Sequence, residues 1–207
     1  GMSTSGTLTR WFRDNFSKDI VKQQEETGEN AYAIMAESIK DINPGSEGLI
    51  VLPYFSGERT PLNDPKAKGM IFGLNLSHTR EHVYNACLEG VGYGIAQHFD
   101  IFDEKEMGTK KVMAVGGGVK NKKWLQTVSD ISGKDQNVAE ISWGAAYGDA
   151  LLAALGVGHY KDTLDVAKNI KLKITLKPDS NNTNIYKPYK DKYDRLYKVT
   201  KDIMHEL

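Results

Sequence analysis

Between Val112 and Gln126 the chain reads Val-Met-Ala-Val-Gly-Gly-Gly-Val-Lys-Asn-Lys-Lys-Trp-Leu-Gln. A short β-branched run enters three consecutive glycines and leaves in a helical pattern carrying Trp124, Leu125, Val128 and Ile131. Glycine reaches φ > 0 freely and has no Cβ, so backbone can approach a ligand closely there. In α/β proteins a Gly-rich turn between a strand and a helix N-terminus is where nucleotides are held. The flanks narrow the kind of site. A Walker loop needs a second glycine followed by Lys and Ser/Thr, which this stretch lacks. A dinucleotide fingerprint needs G-x-G-x-x-G, and Asn121 stands where the third glycine would fall. Two readings stay open: a tight turn without a ligand, and a nucleotide site of another kind. Lys120, Lys122 and Lys123 crowd the helix start. Cations there oppose the macrodipole at roughly 0.3–1 kcal/mol each. A visiting anion would remove the conflict; three solvated lysines are the other account.

The length of 207 residues suits one ordinary to large domain or two small ones. Hydrophobic residues at 40% and charged residues at 26% suit a soluble globular chain with a core of its own. Lys plus Arg equals Asp plus Glu at 27 each, so no global electrostatic case exists for nucleic acid or an anionic membrane. Cys87 is the sole cysteine, which excludes an intrachain disulfide and a cysteine zinc site. Its apolar helical surroundings read as a small buried thiol. No apolar run approaches ~18 residues, and no signal peptide is visible, so the expected location is the cytoplasm. Gly1-Met2 reads as a tag remnant before an initiator Met, leaving open that the chain starts partway through a larger protein.

The remaining pattern alternates helices and strands. Thr7 to Phe16 reads as a helix with Leu8, Trp11, Phe12 and Phe16 on one side and Ser5-Gly6 as its cap. Asn30 to Asp41 reads as a second, capped by Asn30 and stopped by Asn43-Pro44-Gly45. Leu49 to Leu52 is a continuous apolar run, expected as a strand buried on both faces. Met70 to Leu74 is a further strand. A long helix runs from Thr79 to about Phe102, with Gly90, Gly92 and Gly94 inside it. Each costs roughly 0.5–1 kcal/mol against alanine, which close helix packing would explain. A brief strand lies near Asn137-Val138. Gly144 to Gly156 is a helix of small residues expected to pack closely on a sheet. Lys171 to Leu176 alternates as a strand. The last 20 or so residues form an amphipathic helix with Tyr186, Tyr189, Tyr193, Leu196, Thr200, Ile203 and Leu207 on its stripe. The class is α/β with one layered core. Asp130 and Asp149 sit singly in helices and are expected to be solvated or capping, with no metal ligand assigned. Glu58-Arg59-Thr60-Pro61 is expected to act structurally, its adjacent opposite charges pinning a loop by an internal salt bridge.

Six segments resemble one family in order and spacing across Ser5 to about Gly158. They are Ser5 to Asp14, Gly48 to Pro61, Lys68 to Gly73, His82 to Tyr93, Gly116 to Gln126 with Asp130, and Trp143 to Ala150. Together they resemble the C-terminal half of the FGGY carbohydrate kinases, in the xylulokinase and gluconokinase branch. The resemblance implies an actin-like, ribonuclease-H-like ATPase fold, a mixed sheet flanked by helices. Residues 1–207 would form the nucleotide-side domain, with the N-terminal sugar-binding domain absent. ATP would bind in the cleft between the domains, bringing Mg2+ with it, and a sugar hydroxyl would attack the γ-phosphate. The resemblance also places the Glu58 to Pro61 loop near the domain junction, where it would order the cleft.

Carried over residue by residue, Gly117 and Gly118 would contact the nucleotide, with Asn121 shortly after them. The turn is one residue shorter than in the glycerol kinase branch. Gly6 and Arg10, before the Trp-x-Arg-Asp run, would line the nucleotide too. Arg10 suits a phosphate or adenine stacking; a surface helix arginine is the alternative. A branched Cβ at Gly118 would occupy the space where backbone meets the nucleoside. The family's catalytic aspartate and its first phosphate loop, D-x-G-T-x-S, are absent, so no catalytic residue is assigned and the chain alone is expected to be inactive. Xylulose, or a related pentose, polyol or sugar acid, would reach the enzyme through the missing domain. The face turned to that domain could pair two copies. The non-enzyme alternative is a stand-alone nucleotide-binding or interaction module of the same fold.

Overall fold

The computed structural model describes residues 1–109, 111–141 and 144–207. Three helices come first: α1 (Gly6–Phe16), α2 (Lys18–Thr27) and α3 (Ala31–Ser38). An antiparallel pair follows, β1 (Ile50–Leu52) with β2 (Met70–Phe72), and then the long helix α4 (Arg80–Glu104). The second half holds β3 (Val112–Ala114), α5 (Lys122–Ser132), β4 (Gln136–Ala139), α6 (Ala145–Gly156), α7 (Thr163–Asn169), β5 (Leu172–Leu176) and α8 (Ser180–Glu206). The sheet order is β3-β4-β5, parallel for the first pair and antiparallel for the second. The short run that enters the glycines is therefore a strand, Val112–Ala114, parallel to its neighbour, and the glycine turn follows at its C-terminal end.

The expectation of a doubly buried strand holds at β1. Val51 faces one core with Leu88 and Val91, while Ile50 and Leu52 face another with Tyr93 and Tyr193. The period-2 side-chain alternation of a strand puts successive residues on opposite faces, so one three-residue strand joins two cores. The glycines of α4 are explained by the same packing. A Cβ at Gly90 would fall on the Val51 carbonyl oxygen, one at Gly92 would lie 2.8 Å from Ile131, and one at Gly94 would lie 2.5 Å from Met2. Gly90 and Gly94, four residues apart, share one face and Gly92 lies on the opposite one, so neighbours press on this helix from two sides where it has no side chains. Cys87 is buried in the first core, and burial pushes its thiol up to about 12, as expected of an inert thiol.

Several expectations change. α6 does not pack closely on a sheet: none of its residues is buried, and Leu152 is 65% exposed. Its main neighbour is α7, and a Cβ at Gly148 or Gly156 would meet nothing within 4 Å. Its small residues thus make no close approach here. Trp143, at the head of that segment, lies outside the described residues. In α8 the buried stripe is Tyr186, Tyr193, Leu196, Tyr197 and Met204, while Ile203 and Leu207 are exposed. Two polar acceptors steer the helix. Tyr197 donates to Asp64 at 2.7 Å, and Asp130 takes the Asp179 N–H at 2.8 Å and the Asn182 amide at 2.9 Å. Asp130 is therefore buried rather than solvated, and it anchors the segment that starts α8, whose N-cap is Asp179; Asp149 is exposed. Ser5 occupies the N-cap of α1 without a side-chain capping bond.

The Glu58 loop is structural, but not through a Glu58–Arg59 bridge. Buried Glu58 accepts the backbone N–H groups of Ser3 (3.0 Å) and Arg59 (2.8 Å), and its backbone pairs both ways with Asp64.

Candidate nucleotide site

The glycine turn is built by local backbone demand. β3 ends, and Gly116 takes φ 90 and ψ −171, a region closed to residues with a Cβ. Gly117–Lys120 then forms a 3-10 turn closed by the Val119 and Asn121 N–H groups on the Gly116 and Gly118 carbonyls. Asn121 caps α5, its side-chain oxygen accepting the Trp124 N–H at 3.0 Å. The helix start is thereby aimed at the turn.

A cavity of about 530 Å³ lies against this turn. Its near wall is Gly117, Gly118, Lys120 and Asn121, with the Trp124 ring beneath. A second part of the lining comes from α3, where Asn30 caps the helix by accepting the Tyr32 and Ala33 N–H groups at 3.0 and 3.3 Å. Tyr32, Ala33 and Ala36 of α3 and Tyr84 of α4 line the cavity too. Gly6 and Thr9 of α1 complete it, the Thr9 hydroxyl donating to the Gly6 carbonyl at 2.8 Å. A Cβ at Gly117 would meet nothing within 4 Å, so backbone at that position is open to the cavity. At Gly118 a Cβ would sit 3.2 Å from the Trp124 ring. Lys120 is the cation on the lining.

Of the residues singled out in the sequence, Gly6, Gly117, Gly118 and Asn121 are brought together along this cavity. Arg10 is not. Its side chain is 73% exposed and its guanidinium lies 3.8 Å from the Asp14 carboxylate, the surface-arginine alternative. Positions 9 and 10 flank the Gly6 face of α1 at 3.6 residues per turn, and it is Thr9 that turns inward. The α3 wall and Tyr84 were missed as site residues. Asn30 signals only a cap, and nothing local in Ala33 and Ala36 separates a ligand wall from ordinary small helix residues.

Residues 1–157 match the C-terminal domain of the FGGY family of carbohydrate kinases. The chain belongs to the FGGY family. It is 30% identical over 200 residues to the xylulose kinase of Bacillus subtilis strain 168, an alignment covering 96% of this chain and 38% of that protein. It is 31% identical over 170 residues to the gluconokinase of the same strain, covering 82% of this chain and 33% of that protein. The crystal structure of xylulose kinase from Rhodospirillum rubrum superposes with a TM-score of 0.81 at 27% identity, over 99% of this chain and 40% of that one. The FGGY chain thus spans about two fifths of the length of these relatives, and its mixed sheet flanked by helices is the actin-like fold of that family. Among the described residues no helix is long and apolar enough to cross a membrane.

α4 also carries a buried carboxylate. Glu89, in the Cys-Leu-Glu-Gly run of the family resemblance, accepts the Gly45 N–H (2.8 Å), the Ser46 hydroxyl (2.7 Å), the Asn85 amide and the Tyr186 hydroxyl (both 3.0 Å). It holds the turn after α3, where Ser46 and Glu47 have positive φ. Burial raises its pKa from 4.5 to about 7, partly offset by these donors and by Lys123. A carboxyl with a raised native pKa contributes stability that is complete below its unfolded value and is lost as pH rises through the native one. From about pH 5 to about pH 8 this group should therefore lower the unfolding free energy by on the order of 3 kcal/mol. In Glu89→Gln that component of the slope should vanish. Urea unfolding of both proteins at the two pH values checks it; parallel pH profiles would show that Glu89 does not titrate in this window.

Proposed function

We propose that this FGGY chain is the nucleotide-side domain of a phosphotransferase that moves the γ-phosphate of ATP to a sugar hydroxyl. The supporting observation is the cavity lined by Gly117 and Gly118 of the turn together with Ala33 and Ala36 of α3, with exposed Lys120 on the same lining. Planar bases suit a slot whose walls end at Cα or Cβ, and a cation at the rim suits phosphate. The three glycines let backbone amides approach the ligand directly. Mg2+ would arrive bound to the nucleotide phosphates, and no residue of this chain is assigned to it.

On this reading residues 1–207 form the C-terminal domain, and the N-terminal part present in the longer relatives supplies the sugar pocket and the base. Phosphoryl transfer depends on aligning nucleophile, phosphate and metal together, which contributes on the order of 7–11 kcal/mol. The chain by itself would then bind nucleotide without phosphorylating a sugar. The acceptor would be a pentulose such as xylulose, or a related polyol or sugar acid, given the xylulose kinases and gluconokinases among the relatives.

Calorimetric titration of the chain with ADP tests the reading. Saturable binding with a Kd on the order of 0.1–1 mM is expected, about −4 to −5.5 kcal/mol. A folded chain that takes up no ADP at several millimolar overturns it.

A further inference from the structure

The cavity has two main walls that belong to different parts of the chain. One is the first turns of α3; the other is the glycine turn and the start of α5. Their separation decides whether a planar ligand fits, and α3 is only 8 residues long, so whatever holds its far end also sets the near one. The last carbonyls of a helix have no partner within the helix. At the C-cap of α3 and in the turn just past it, carbonyls find a donor on α5. The Lys123 ammonium donates to the carbonyls of Ile39, Lys40 (3.2 Å) and Ile42 (2.8 Å), the residues directly after α3. Lys123 is half-buried, and no carboxylate pairs with it at ion-pair distance among the described residues. All three of its ammonium hydrogens are used on backbone oxygens, the arrangement that a helix C-terminus favours. It directly precedes Trp124, whose ring lies on the cavity lining, and follows Asn121 by two residues.

This lysine was read above as one of three cations in conflict with the α5 dipole. Its charge is instead spent on the C-terminal end of another helix. We propose that Lys123 is a positioning residue that fixes the width of the nucleotide cavity by clamping the C-terminal end of α3 to the start of α5. The buried Glu89 holds the turn that follows through Gly45 and Ser46, so these polar ties to α4 and α5 add to the core packing of Ala31 and Met35 with Tyr84 and Leu88. Lys123 touches no ligand space itself; it acts through the placement of Ala33 and Ala36.

The affinity arm of the test rests on the nucleotide reading; the structural arm does not. Lys123→Met keeps the stem and removes the donors. Amide hydrogen exchange without ligand should become about tenfold faster across Ala31–Ser38, with α4 unchanged. The ADP Kd should weaken about tenfold, and Lys123→Arg, which restores donors to the three carbonyls, should recover most of that affinity. Unchanged exchange in α3 overturns the clamp. Loosened α3 with an unchanged ADP Kd overturns its role in setting the cavity. A wild-type chain that binds no ADP overturns the nucleotide reading, while the exchange arm still decides the clamp. If Lys123→Met loses cooperative unfolding, Lys123→Gln, with one amide donor on a shorter stem, is read by the same two measurements.

Discussion

Replacing Gly117 by leucine should weaken ADP binding about 100-fold and leave the unfolding transition nearly where it is. The side chain would enter space that is empty in the folded chain, since a Cβ there meets nothing within 4 Å. Gly117 is not at positive φ, so the backbone accepts a side chain without strain. The entire effect would therefore fall on the ligand. Forcing extra methylenes into a fitted space costs about 1–3 kcal/mol, and about 2.7 kcal/mol is a factor of 100 in Kd. Gly118, which the sequence alone favours for this substitution, is the poorer choice. A Cβ there lies 3.2 Å from the Trp124 ring, so valine would displace a wall of the cavity as well as fill it. Calorimetric titration together with thermal melting separates the two. A folded Gly117→Leu protein with wild-type affinity would place the nucleotide elsewhere.

Gly90→Ala is expected to lower the unfolding free energy by at least about 3 kcal/mol, the upper range for overpacking a well-filled core. The added methyl would coincide with the Val51 carbonyl oxygen. That oxygen cannot retreat cheaply. β1 is buried on both faces and paired with β2, so any shift disturbs both cores and the ladder. Alanine is the better helix former by roughly 0.5–1 kcal/mol, which makes the sign of the result informative. Gly148→Ala on exposed α6 gains the same propensity and meets nothing, so it should be neutral or stabilising. Urea unfolding of both variants checks the pair. Equal stability of the two would mean that α4 and β1 are less closely fitted than described.

The parts of the fold legible in the sequence were those with a local cause. Asn30 caps α3 as its side chain predicts, the Leu49 to Leu52 run forms a doubly buried strand, and the three α4 glycines mark close packing. α2 was missed because only Ile20 among its residues is buried, leaving no apolar period to read. α6 misled because small residues signal close approach without saying whether a partner is there. The cavity was half legible. A Gly-rich turn announces itself, but Tyr84 and the α3 wall lie 30 to 90 residues away in the chain and meet the turn only through tertiary packing. Lys123 shows the same limit: adjacent lysines look alike in a sequence, and only the fold shows that one of them spans to another helix.

The glycines of α4 also bear on how the molecule can move. With Val51 and Met2 seated on one face and Ile131 on the opposite one, α4 resembles a shaft keyed on two sides. Turning it about its axis would drive side chains into seats shaped for none, and sliding it would do the same one residue along. Such an element transmits displacement without absorbing it. Motion that accompanies a ligand would then carry α4, β1 and α5 together as one block, with the bending assigned to the segments that join this block to the rest.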